Sequence, residues 1–229
     1  DALAGLNTAG FISGYRGSPL GGYDQALMAA KKHLAKQNIV FQPGVNEELG
    51  ATAVWGTQQL DLFPEKAKFD GVFGLWYGKG PGVDRAGDAL KHGNAYGSSP
   101  HGGVLVVAGD DHGCVSSSMP HQSDHAMVGW QMPIVAPADV AEIVEFGLYG
   151  WALSRYSGAW VGLTALSEVV ESAGTVDLDA IKARQATWAD ADTAVARIAG
   201  LRLSGSGSHC SGSGQYDGGG VFVSRQKTA

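Results

Sequence analysis

Four short stretches carry the side chains that can do chemistry, and each has an unusual composition. Residues 14–22, Gly-Tyr-Arg-Gly-Ser-Pro-Leu-Gly-Gly, offer the Arg16 guanidinium and the Ser18 hydroxyl. The glycines around them, Gly17 among others, let backbone approach a ligand. Residues 42–59 contain Asn46, able to cap a helix, followed by two carboxylates, Glu47 and Glu48, in its first turn. Such carboxylates can act as acid or base, or can simply complement the helix dipole. Residues 76–89 bring Lys79 and Gly80 within a run of glycines. They do not form a phosphate-binding P-loop, because Lys79 is not followed by Ser or Thr and the glycine spacing is wrong. Residues 109–125 crowd Asp110, Asp111, His112, His121, Gln122, Asp124 and His125 together. A metal site is one reading of that cluster, with His121 and His125 one helical turn apart. A polar, hydrogen-bonded loop closing over a site is the other. No Gly-X-Ser-X-Gly elbow occurs, so Ser117 in its serine run has no sign of a hydrolase nucleophile.

These stretches need a scaffold, and the pattern of apolar runs supplies one. Strands are expected at 10–15, 39–42, 71–76, 104–108, 134–136 and 160–166, with helices over 24–37, 47–60, 83–96 and from about 140 to 151. The run Val104 to Ala108 is apolar throughout, as in a strand covered on both faces, and marks the sheet centre. Asp139 caps the helix whose stripe is Val140, Ile143, Val144, Gly147, Leu148 and Trp151. Strands alternating with helices predict an α/β, doubly wound, mostly parallel sheet with helices on both faces. All four chemical stretches then follow strands, at the carboxyl edge where such sheets bind ligands. Residues 1–175 form the principal domain in this reading, 176–203 an amphipathic helical extension with its helix over 181–198, and 204–229 a Ser/Gly-rich tail. That tail has a flexible-linker composition and is expected to be disordered, or to mark a truncated or frame-shifted end.

Composition removes several function classes. The 229 residues carry a net charge of −6 and 44% hydrophobic side chains, enough for a substantial core. Neither a basic run nor basic-aromatic interleaving is present, so no nucleic-acid groove or polybasic membrane patch is expected. No apolar run approaches the roughly 20 residues of a membrane span. A cytoplasmic location is the expectation. Cys114 and Cys210 are the only cysteines and lie far apart. They cannot ligate an iron–sulfur cluster by themselves, so any such cluster must lie outside this sequence.

Taken in order, the segments NTAGFISGYRGSPLGG, FQPGVNEE, WYGKGPGVDR, SPHGG and AGDDH resemble the first domain of the large, fused indolepyruvate ferredoxin oxidoreductases of bacteria. The similarity covers roughly residues 5–180, and the family begins slightly upstream, so residue 1 is not expected to be the natural start. In this family of 2-oxoacid:ferredoxin oxidoreductases the domain is the pyrimidine-binding (PYR) domain for thiamine diphosphate. Tyr15 to Pro19 resembles the family's tyrosine–proline–X–threonine–proline loop, with Arg16 replacing the first proline and Ser18 the threonine. Asn46-Glu47 resembles its asparagine–glutamate pair, and Gly56 stands nine residues after Glu47 as in the family.

The resemblance implies a reaction and a division of labour. A 2-oxoacid such as indolepyruvate or a related arylpyruvate is oxidatively decarboxylated, giving acyl-coenzyme A and reduced ferredoxin. Glu47 is implied as the catalytic carboxyl that hydrogen-bonds N1′ of the aminopyrimidine and so promotes loss of the C2 proton. Val45, Leu49, Val54 and Trp55 are candidates for its apolar surroundings. Ser18, Arg16 and Gly17 are implied in substrate binding, and Asn46, Lys79 and Gly80 in cofactor binding. His112, His121 and Gln122 are candidates for loop closure or proton handling. No Gly-Asp-Gly motif occurs, so magnesium and the diphosphate belong to a pyrophosphate-binding partner domain, and no metal ligand is assigned in this chain. The isolated chain is expected to be inactive and the full enzyme a homo-oligomer. Two alternatives stay open: a non-catalytic binding or assembly module of such a complex, and an unrelated nucleotide-binding doubly wound domain.

Overall fold

A computed structural model of the chain describes residues 5–62 and 64–188. Six strands, β1 (Thr8–Gly14), β2 (Ile39–Phe41), β3 (Gly71–Lys79), β4 (Val104–Asp110), β5 (Ile134–Val135) and β6 (Val161–Leu166), form one sheet in the order β2-β1-β3-β4-β6-β5. Every pairing is parallel, so the fold is the doubly wound α/β sheet expected from the sequence. Strand β4 is interior, between β3 and β6. The chain turns from β1 to β2 on one side and returns to β3 on the other. That reversal at β1 and β3 opens the crevice where such sheets receive ligands.

Side chains alternate between the two faces, as the twofold repeat of a strand requires. Trp76, Val104, Val106 and Ala108 meet α3 (Glu47–Gly56), α4 (Gly80–Arg85), α5 (Gly87–Tyr96) and α6 (Asp124–Gly129) through Ala51, Val54, Val83, Leu90 and Met127. On the opposite face Ile12, Leu75, Tyr77, Leu105 and Leu163 meet α1 (Tyr23–Ala29) and α7 (Val140–Ser157) through Leu27, Tyr149 and Leu153. A short helix α2 (Lys31–Lys36) leads into β2, and α8 (Ser167–Val170) follows β6. The last described helix, α9 (Leu178–Trp188), rests on α7 through buried Ile181 and a bidentate pairing of Arg184 with Glu145, at 2.6 and 2.7 Å.

Several boundaries differ from the sequence reading for identifiable reasons. The helix expected over 24–37 is two helices meeting at Ala30, a break that no residue type there marks. The helix expected over 47–60 stops at Gly56, and a 3₁₀ turn occupies Leu60–Leu62. Helix formation after β3 starts at Gly80, earlier than expected, because Pro81 sits in the first turn, where its missing N–H costs nothing. The structure divides this region into α4 and α5 at Ala86. Helix α6 lies inside the expected fourth loop. Helix α9 begins at Leu178, where the Asp177 carboxylate accepts the N–H groups of Asp179 and Ala180. The rest of the helix expected over 181–198, and the Ser/Gly tail, lie outside the described residues. Among the described residues no helix is long and apolar enough to cross a membrane.

Candidate active site

Glu47 is the first residue of α3, and its neighbours fix the backbone there from both sides. The Asn46 side chain caps the helix, accepting the Leu49 N–H at 2.9 Å, and the fully buried Trp76 donates its indole N–H to the Glu47 carbonyl at 2.9 Å. Asn46 is thus occupied as a helix cap, a role that accounts for it without a ligand. The Glu47 side chain is only 16% exposed, whereas Glu48 beside it is exposed.

What confines Glu47 is α4. A Cβ placed on Gly82 would stand 2.6 Å from Glu47 Cγ and 2.8 Å from its Oε1, so the carboxylate occupies the space a side chain at 82 would need. Arg85 brings its Nε to 3.8 Å from Glu47 Oε2, with its own side chain 59% exposed. No described residue donates a hydrogen bond to the Glu47 carboxylate. A largely buried carboxyl with unused hydrogen-bonding capacity is an uncommon arrangement outside functional sites. Of the expected apolar neighbours, Val54 is buried in the core and Trp55 is half-buried, but Val45 and Leu49 are 82% and 53% exposed. The last two therefore do not enclose Glu47, since the helix start turns them outward.

The fourth loop is tied down by carboxylates. Asp110, the last residue of β4 and almost fully buried, accepts the Ser123 N–H at 2.8 Å and the Ser123 hydroxyl at 2.7 Å. His121 lies between two acids, with Nδ1 3.3 Å from Asp110 Oδ1 and Nε2 2.8 Å from Asp84 Oδ2. Its ring fills the space above Gly80, where any side chain would collide with it. Asp111 accepts the N–H groups of Ser116 and Val115, each at 2.8 Å. The Ser116 N–H first, and that of Val115 with it, hold the Asp111 carboxyl down to about 2, against the opposing pull of burial. Among the described residues no group of three or more His, Cys, Asp or Glu side chains is arranged to hold a metal ion. In the cluster that suggested one, the acids instead fasten the loop.

The loop after β1 packs Pro19 and Leu20 against Gly109 and is hydrogen-bonded to the fourth loop. The Ser18 and Ser116 hydroxyls share a 2.6 Å hydrogen bond, joining the first and fourth loops. Gly17 lies against the stem of Lys79, leaving 2.9 Å between its hypothetical Cβ and Lys79 Cβ. Arg16 is exposed and lines a cleft of about 590 Å³ with Gly14, Asp24, Met28 and Gly44. Glu47 is not among the residues lining that cleft. His112 and Gln122 are exposed and make no side-chain hydrogen bond to the described residues.

The structure therefore sets Glu47 of α3 against Gly82 of α4 and His121 against Gly80 of the same helix, and links Ser18 to the fourth loop. Arg16 faces a cleft that does not include Glu47, and His112 and Gln122 stand apart. Gly82 and Ser116 were not singled out from the sequence. The Gly80-Pro81-Gly82 spacing was the available signal for the first, and the serine run hid the second. A scan against protein-family models gave no match, and neither did a search of curated proteins.

Proposed function

We propose that this chain is the pyrimidine-binding half of a thiamine diphosphate site in an enzyme that oxidatively decarboxylates 2-oxoacids such as indolepyruvate. Its partners would be a pyrophosphate-binding domain holding magnesium, iron–sulfur clusters elsewhere in the full enzyme, and ferredoxin. One observation carries the reading: Glu47, on a capped helix at the β1–β3 reversal, is mostly buried, and its carboxylate is left without a hydrogen-bond donor. That fits a group that must exchange a hydrogen bond with a ring nitrogen. When bound, thiamine diphosphate would supply a carbanion nucleophile for the oxoacid carbonyl and an electron sink for the loss of carbon dioxide.

The chain's own residues then have separable tasks. Glu47 offers a carboxyl oxygen beside the Gly82 notch for that hydrogen bond, where limited water access preserves its strength. Ser18 offers a hydroxyl to the oxoacid, and its bond to Ser116 keeps that hydroxyl in one place. Arg16, which faces a separate cleft, is given no part in this site. Exposed Val45 and Leu49, next to Glu47 in sequence, give a partner domain apolar surface to bury.

The test compares two adjacent acids in the complete enzyme. Glu47→Gln lowers 2-oxoacid turnover by about 10²- to 10⁴-fold, the usual worth of a positioned acid–base group. Glu48→Gln changes it less than about threefold, as expected of an exposed carboxylate. Equal effects at the two positions would refute the assignment.

A further inference from the structure

Helix α4 is only six residues long, yet it makes room in the same way for two side chains, one from α3 and one from the fourth loop. Gly80 makes room for the His121 ring, and Gly82 makes room for the Glu47 carboxylate. The next two charged residues complete the pattern, for Asp84 bonds His121 at 2.8 Å and Arg85 approaches Glu47 at 3.8 Å. Asp84 and Arg85 are neighbours on one turn, so a shift that releases one displaces the other. His121 is not free to drift, because Asp110, 1% exposed, is anchored by two bonds from Ser123 and sits 3.3 Å from its other nitrogen.

We infer that His121 is a positioning residue for Glu47, acting through α4, whose two glycine notches and two charged side chains register the fourth loop against the glutamate. Both imidazole nitrogens face carboxylates, so the ring is engaged at each end and transfers no proton to a ligand in this arrangement. Buried Asp110 provides the fixed end of the chain, His121 the strut and Asp84 the link to α4. What Glu47 does once positioned rests on the function proposed above. The coupling of His121 to Glu47 does not, and it is measurable without cofactor.

The experiment follows the side-chain carboxyl carbon of Glu47 by NMR in the chain labelled with ¹³C-glutamate, the signal being identified by its loss in Glu47→Gln. His121→Ala removes the strut, and Gly80→Ala displaces the ring without removing it. Both are expected to move or broaden the Glu47 signal while those of Glu142 and Glu145, on α7 at the opposite face of the sheet, stay in place. His121→Gln, whose amide nitrogen can replace Nε2 towards Asp84, restores the wild-type position. In the complete enzyme the same two disruptive variants lower kcat on the order of ten- to a hundredfold and leave KM within about twofold, as a misplaced group does. A Glu47 signal unmoved in both variants overturns the inference, and so does one that moves only together with the control glutamates. Failure of the thiamine reading shows separately, as normal turnover in Glu47→Gln alongside an intact NMR response.

Discussion

Glu47 and Glu48 have the same chemistry and adjacent positions, and the fold separates them by burial alone. Glu47 is directed at α4 and Glu48 at solvent. Asn46 is the residue that makes this geometry, since its cap starts the helix at residue 47. Asn46→Ala is expected to cost about 0.5–2 kcal/mol of stability, read from the denaturant midpoint. Asn46→Asp keeps the cap and should cost little, so a large loss there would mean that Asn46 does more than cap. Asp111 gives a pH-dependent expectation. Its folded pKa of about 2 lies below the ordinary 3.8, so its contribution is complete above that value and disappears as pH falls between the two. The stability difference between the native chain and Asp111→Asn should therefore be constant above pH 5. It should shrink between pH 3.8 and about 2. A difference that does not change with acid would contradict the assignment of those hydrogen bonds.

At the scale of elements, legibility followed burial and length. Strand β4 was readable because an uninterrupted Val-Leu-Val-Val run fits a doubly covered strand, and it lies inside the sheet. Helix α7 was readable because Asp139 caps it, accepting the Glu142 N–H at 2.8 Å, and its apolar stripe recurs over several turns. Short elements set by tertiary contact were not readable. The six residues of α6 show no repeat of their own, and α4 is held by what lodges in its glycines. The candidate site was legible as residue types in four loops, but their pairing was not. Nothing in the sequence of residues 80–85 shows that Gly82 faces Glu47 while Gly80 faces His121. Two substitutions test that part of the structure. Gly82→Ala should displace Glu47 and reduce turnover of the complete enzyme by at least about tenfold with little change in unfolding midpoint. Asp139→Ala should do the reverse, losing about 1 kcal/mol of stability with turnover intact.

The whole molecule presents loops from four strands along one edge of the sheet, with Glu47 beside the β1–β3 reversal and apolar Val45 and Leu49 facing outward. On the proposed reading the chain is half of a cofactor site, which binds and orients but does not complete a reaction. The isolated chain should show no 2-oxoacid oxidation with added thiamine diphosphate and magnesium, and turnover should appear only with the partner domains. Robust activity of the chain by itself would contradict that division. The most direct measurement is the rate at which the complete enzyme exchanges the thiamine C2 proton for deuterium, with and without Glu47→Gln. Exchange slowed by two orders of magnitude or more, about 2.7 kcal/mol in the barrier, is the expected result. Exchange at the native rate in the variant would remove Glu47 from proton transfer and, with it, the central claim.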